Sequence, residues 1–306
     1  MKRLRIVWSI LLLAAVLLSA CAPAAAPVAA ISLKDGLGRE VKLDKPAQKI
    51  VSLSPSNTEI LFALGAGAQV IGRDDLSDTP AEAKKLPSVG GNMGKYNFEE
   101  IAKLKPDLVL ATGINTPEQV KALENLNVTT FYLENPKDLD GLFKNLETVG
   151  ALTGRTAEAK KLNESLAKRV KSVQDTLAKA ASKPKVFYEL DATNPAKPWT
   201  AGPGSFIDKM ITLAGGQNAA GGLKSEWAEI SQEELIIQNP DVILLGDAAY
   251  GVSPEQVASR PGWSAIKAVK EKRVLAFDDN LVSRPGPRLV DGYEALAKAI
   301  HPELFK

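Results

Sequence analysis

The run EEIAKLKPDLVL, residues 99–110, returns 134 positions later as EELIIQNPDVIL, residues 233–244. Each copy is preceded by a helix-capping residue, Asn97 or Ser231, with Glu100 or Glu234 three places on. That is the capping-box spacing which starts a helix. Each then meets a proline, Pro106 or Pro240, which ends the helix. The unbroken aliphatic runs that follow, 108–111 and 242–245, suit strands buried on both faces.

The likeness extends outward. Lys49 opens a largely apolar, strand-like run at 50–53 as Lys185 opens one at 186–189. Downstream, Thr116-Pro117-Glu118-Gln119 matches Ser253-Pro254-Glu255-Gln256, each a cap followed by proline at the first helical position. Four features in one order make 50–135 and 186–280 two copies of a single α/β plan. The first copy is expected to hold strands at 50–53, 69–72, 107–111 and 128–133, with helices at 57–64, 98–104 and 117–126. Alternation of this kind predicts a parallel sheet covered on both faces.

Residues 156–181 place Ala157, Leu162, Leu166, Val170, Val173 and Leu177 at helical spacing, with no glycine or proline among them. This predicts one amphipathic helix about 40 Å long, a stiff spacer. The expected fold is therefore α/β: two similar parallel-sheet lobes, 31–152 and 183–306, joined by a long helix within 153–182. A cleft between two lobes is where small-molecule sites concentrate.

The N-terminus carries a different signal. Lys2, Arg3 and Arg5 precede an apolar run at 6–20, too short for the roughly 20 residues of a membrane span, which predicts an export signal at 1–20. It ends in Leu18-Ser19-Ala20-Cys21, similar to a lipoprotein cleavage site, and Cys21 is the single cysteine of the chain. No disulfide within the chain is possible, and Cys21 is expected to carry a lipid. Residues 21–30, rich in alanine and proline, read as a tether. Removing three basic residues from 38 leaves 35 against 36 acidic ones, a balance that does not suggest nucleic acid.

Enzyme signatures fail on inspection. In Leu64-Gly65-Ala66-Gly67-Ala68-Gln69-Val70 a valine stands at the third glycine of a dinucleotide fingerprint. Around Gly90-Gly91-Asn92-Met93-Gly94-Lys95-Tyr96, Val89 and Tyr96 occupy positions that a P-loop needs as glycine and as serine or threonine. His301, the single histidine, lies in what reads as a polar tail, leaving no imidazole base for a nucleophile and no multi-histidine zinc site. Asp74, Asp75 and Asp78 lack calcium-loop spacing and read as a solvated acidic loop. No cofactor, resident metal or catalytic residue is expected.

Several motifs carry a family resemblance. Lys49-Ile-Val-Ser-Leu-Ser-Pro-Ser-Asn-Thr-Glu-Ile60, the Val89-Gly-Gly turn, Pro198-Trp-Thr-Ala-Gly202 with Ser205-Phe-Ile207, Leu213-Ala-Gly-Gly-Gln-Asn218 and Arg284-Pro-Gly-Pro-Arg288 resemble the substrate-binding proteins of ABC importers for cobalamin, ferric siderophores and haem. The resemblance spans about 31–305. It implies a monomeric, lipid-anchored protein on the outer face of the cytoplasmic membrane, which captures a metal chelate and delivers it to an ABC permease. It also implies that Glu99 and Glu233, one per lobe, pair with permease arginines, although a glutamate in a first helical turn is favourable without any partner. Loops after the strands are expected to face the cleft. That points to Ser54, Asn57, Arg73, Asn92, Tyr96, Trp199, Trp227, Tyr250 and Arg284 as ligand-binding residues, with the tryptophans stacking on a macrocycle and the arginines meeting carboxylates. Trp263 reads as a core residue. The chain has Leu76 and Asn92 where cobalamin binders tend to place aromatics. It offers no cleft histidine for haem, for which Tyr96 or Tyr250 would have to substitute. An extracytoplasmic chelate reductase or hydrolase, or a sensor without transport, is the alternative.

Overall fold

The computed structural model describes residues 30–305; the export signal and Cys21 lie outside that range. A hairpin of β1 (Ile31–Lys34) and β2 (Glu40–Leu43) leads in. Asp35 fastens it to the first lobe by accepting from the backbone of Leu37, Arg39 and Tyr132, while Arg39 pairs with Asp35 and Glu124.

The first lobe follows as β3 (Ile50–Ser52), α1 (Pro55–Ala63), β4 (Val70–Arg73), α2 (Phe98–Lys103), β5 (Leu108–Thr112), α3 (Pro117–Asn125), β6 (Thr130–Leu133) and α4 (Leu139–Thr153). Its four strands are all parallel, in the order β4-β3-β5-β6. Then comes α5 (Thr156–Leu177), the predicted long helix, ending four residues early and so about 33 Å long at 1.5 Å per residue.

The second lobe holds β7 (Lys185–Asp191), β8 (Trp199–Ala201), α6 (Phe206–Leu213), β9 (Gln217–Asn218), β10 (Trp227–Glu229), α7 (Gln232–Gln238), β11 (Val242–Leu245), α8 (Pro254–Ala258), α9 (Lys267–Lys270), β12 (Val274–Ala276), α10 (Asn280–Ser283) and α11 (Leu289–Ile300). Parallel pairing of β9 with β7, β7 with β11, and β11 with β12 repeats the first-lobe order. The copy is not wholly parallel, however. β8 runs antiparallel to β7, and β10 antiparallel to β8, adding a ribbon at the edge that has no counterpart in the first lobe.

The repeated Pro-Asp dipeptide explains itself. Asp107 Oδ2 accepts from the backbone N–H of Gln48 and Lys49 at 2.8 and 3.0 Å, and Asp241 Oδ2 accepts from Lys185 N at 2.7 Å. In each lobe the aspartate entering the central strand thus ties down the start of its neighbour. The residue before each proline, Lys105 or Asn239, takes positive φ, 49° or 47°, as the chain leaves its helix. Both Thr/Ser-Pro-Glu-Gln motifs form complete capping boxes. The caps of α2 and α7 are half-built: Asn97 and Ser231 accept from the N–H of Glu100 and Glu234, but the Glu100 carboxylate pairs with Lys103 and that of Glu234 accepts from Gln238.

One apolar cluster runs from Leu142 and Leu146 of α4, through Leu166, Val170 and Val173 of α5, to Leu289, Tyr293 and Leu296 of α11. Arg169 adds hydrogen bonds across the same seam to Asp291 and Glu294. The spacer is packed on both lobes along its length, which limits how far they can hinge. Contrary to the polar-tail reading, His301 is buried, with Nε2 3.1 Å from the Gly215 carbonyl oxygen. Among the described residues no helix is long and apolar enough to cross a membrane.

Candidate functional site

The carboxyl ends of the parallel strands in each lobe bring the candidate residues into two groups. In the first lobe Ser54 caps α1, accepting from Asn57 N, and both residues are buried. Asn57 Nδ2 donates to the carbonyls of Leu110 and Ala111 at 3.2 and 3.3 Å, joining α1 to the end of β5. Tyr96 OH donates to the Leu53 carbonyl at 2.8 Å, and burial raises its phenol pKa. Gly91, at φ 113°, lies between the Tyr96 ring and Asp74; a Cβ there would stand 2.8 Å from the ring. Asn92 is exposed at the tip of this turn, its N–H directed at Asp75 Oδ2.

The acidic loop is less solvated than expected. Asp74 is buried, accepting from Leu76 N and the Ser77 hydroxyl, and burial raises its pKa. Asp75 is exposed and accepts from Ser88. Arg73 turns its guanidinium to the carbonyls of Ala83, Asp74, Asp75 and Lys84, which engages most of its donors within the first lobe.

In the second lobe the edge ribbon presents the tryptophans. Register pairs Trp227 with Ala201 and Glu229 with Trp199, so both indoles stand on one face, a diagonal step apart. They are 45% and 49% exposed, and Tyr250 is 89% exposed, uncommon for such large rings without a ligand or partner. Trp227, Leu190 and Phe206 share a cavity of about 350 Å³ with Asn135 and Pro136 of the first lobe, so this pocket spans the cleft. Trp263 is fully buried against Phe187 and Arg260. Below the strand ends Arg260 pairs with buried Glu189 at 2.5 and 2.9 Å; burial raises the pKa of Glu189 and of its neighbour Asp247.

The lobes also meet through charge. Glu59 of α1, buried, accepts from Arg288 Nε and Nη2 at 2.9 and 2.7 Å, and Arg284 lies 3.8 Å away. Arg284 itself donates to Asp78 at 2.6 Å. Gly286 brings the Arg284-Pro-Gly-Pro-Arg288 turn against α1; a Cβ on it would lie 3.3 Å from Glu59 Oε2. The sequence alone points Arg284 at a ligand and gives Glu59 and Arg288 no role; the structure joins all three in this clasp. A signal exists: Glu59 opens the apolar run Ile60 to Leu64 with no basic side chain three or four positions away, so its partner has to be distant.

Glu99 and Glu233 occupy the second position of α2 and α7. Both are exposed, and among the described residues neither carboxylate has an ion pair or hydrogen bond. Nor do the described residues group three or more metal-ligating side chains.

Two lobes of one topology, a packed helix between them and an aromatic- and amide-lined cleft define a solute-binding protein of the two-lobe, helix-linked kind. The periplasmic binding protein family model matches residues 50–281, and the chain belongs to that family, as an ABC-importer substrate-binding protein. It is 34% identical, over the whole of both chains, to an uncharacterized ABC transporter substrate-binding lipoprotein, YvrC, of Bacillus subtilis. It is 28% identical over 274 residues to a cobalamin-binding protein of Halobacterium salinarum, covering 87% of this chain and 73% of that one. The periplasmic haem-binding protein RhuT from Roseiflexus sp. RS-1 superposes with a TM-score of 0.75 at 28% identity, over 84% of this chain and 99% of the other.

Proposed function

We propose that this protein is held outside the cytoplasmic membrane by a lipid on Cys21, captures a metal chelate between its lobes, and hands it to an ABC permease docked against Glu99 and Glu233. The observation that carries the docking is the matched pair of exposed, unpartnered carboxylates, one per lobe, at equivalent turns of equivalent helices. Two charge-assisted contacts far apart set orientation as well as affinity.

The ligand set comprises Trp199, Trp227 and Tyr250 on one side and Asn92 and Tyr96 on the other, over a floor containing Ser54 and Asn57. A metal chelate as cargo is supported by the cobalamin-binding relative, the haem-binding structural neighbour and the exposed indoles. The protein itself performs no chemistry in this reading. Binding is accompanied by modest lobe closure, limited by the packed spacer and the Glu59 clasp.

Glu99→Arg combined with Glu233→Arg tests the docking. Uptake of chelate by cells carrying the variant should be abolished while calorimetric affinity of the protein for the chelate is unchanged. Retained uptake would refute the docking role.

A further inference from the structure

The charges at the cleft bear on what can be carried, given the reading of this protein as a chelate binder. Carboxylates stand within two residues of the carboxyl ends of β4, β6, β7, β11 and β12: Asp74 and Asp75, Glu134, Asp191, Asp247 and Asp278. Arg73 is the one basic residue at those positions, and its guanidinium is taken by backbone carbonyls. The remaining arginines that reach this region are already paired: Arg284 with Asp78, Arg288 with Glu59, and Arg260 with Glu189. Lys95 and Lys197 stand exposed on the rim and Lys137 lies 4.0 Å from Glu134, but such exposed, hydrated ammonium groups contribute little.

Asp247 strengthens the imbalance. It is buried, Oδ2 accepts from Ala192 N, and Oδ1 has no hydrogen-bond partner. The exposed indoles present π faces, whose quadrupole attracts cations and repels anions. A polyanionic chelate would shed its hydration against carboxylates and ring faces without meeting a free guanidinium.

We infer that the chelate this protein carries is electrically neutral or cationic, of the corrinoid or ferric-hydroxamate class rather than haem or a ferric tris-catecholate. Like charges brought together in a binding site are strongly disfavoured, so discrimination of at least about ten-fold follows.

The test is calorimetric titration of the full-length protein in mild detergent with four probes: cyanocobalamin, ferrioxamine B as a monocation, haemin, and ferric enterobactin as a trianion. At least one of the first two should bind ten-fold or more tightly than both anions. A smaller margin, or the reverse order, overturns the charge assignment and leaves chelate capture standing. Failure of all four to bind refutes chelate capture itself. Asp191→Lys combined with Asp278→Lys, two exposed positions that the fold should tolerate, should narrow the margin between the preferred probe and haemin by about three-fold or more. An unchanged margin would also overturn the assignment.

Discussion

Replacing Glu59 by glutamine asks whether ion pairs, or α5 and its shared core alone, hold the lobes at their angle. The Glu59 side chain is 3% exposed and takes both donors of a bidentate contact from Arg288, with Arg284 nearby. Glutamine keeps the shape and one acceptor but removes the charge, leaving two arginines with Asp78 as their compensation. Charge-assisted hydrogen bonds contribute about 1.5–3 kcal/mol each, and removing one member of a buried pair costs about 3–5 kcal/mol. Arg288 retains 28% exposure, so solvent screening places the expected loss lower, at about 2–3 kcal/mol. That is a large share of the usual 5–15 kcal/mol of about one domain's stability.

Urea denaturation of the parent, Glu59→Gln, Arg288→Gln and the double variant measures the term directly. The midpoint of Glu59→Gln should fall with little change in slope. The pair should show a coupling of at least about 1 kcal/mol, since residues in contact do not add. Single-variant losses that add to within about 0.5 kcal/mol would refute the clasp and assign the lobe angle to α5 packing alone.

Three further outcomes follow from the geometry. Burial holds the Glu189 and Asp247 carboxyls above their ordinary range, so the folded state binds protons that the unfolded state releases; stability from this source is complete below the unfolded pKa and is lost as pH rises through the raised values. Asp247→Asn should therefore flatten that decline and stabilise the protein at pH 7.5 by about 1 kcal/mol, the scale of one new hydrogen bond; lower stability by thermal unfolding would contradict this. Asp241→Ala should destabilise more than Asp107→Ala, within about 1–3 kcal/mol, because the N–H it orphans is part-buried whereas those at Asp107 are exposed; equal urea midpoints would refute the burial argument. Trp227→Ala should leave stability within about 0.5 kcal/mol yet weaken chelate binding by about ten-fold or more, and unchanged affinity by calorimetry would remove Trp227 from the site.

Legibility of the sequence divides by distance along the chain. Caps, proline stops and aliphatic runs act over four or five residues, which is why α3, β5 and β11 lie within a residue of where the pattern places them. The edge ribbon joins 199–201 to 227–229 across an intervening helix and strand, and no short-range periodicity marks that pairing. Glu59 and Arg288 meet across 229 positions, and Arg284 and Asp78 across 206. Arg284 reads as available for a ligand because its partner is invisible from nearby residues. The contacts of Arg73 are hidden for another reason: its acceptors are backbone carbonyls, present everywhere and signalled by no residue type. Candidate residues were thus recognisable by position at strand ends, whereas their commitments depended on tertiary contacts.

The two copies have kept one set of features alike and let another diverge. Helices α2 and α7, their caps, the Pro-Asp anchors and the carboxylates at 99 and 233 are common to both lobes. The cleft surfaces are not. The second lobe inserts a ribbon that displays Trp199 and Trp227, while the first gives the segment after β4 to the Asp74–Tyr96 turn, with its buried carboxylate and amide tip. A permease built of two like halves would meet equivalent carboxylates on both lobes. A chelate bound as proposed would meet indoles on one side and amide and phenol groups on the other, and so would be held in one orientation. The features that EEIAKLKPDLVL and EELIIQNPDVIL have in common therefore belong to the frame and the proposed docking surface, and in the proposed function cargo selection would rest on the segments where the copies differ.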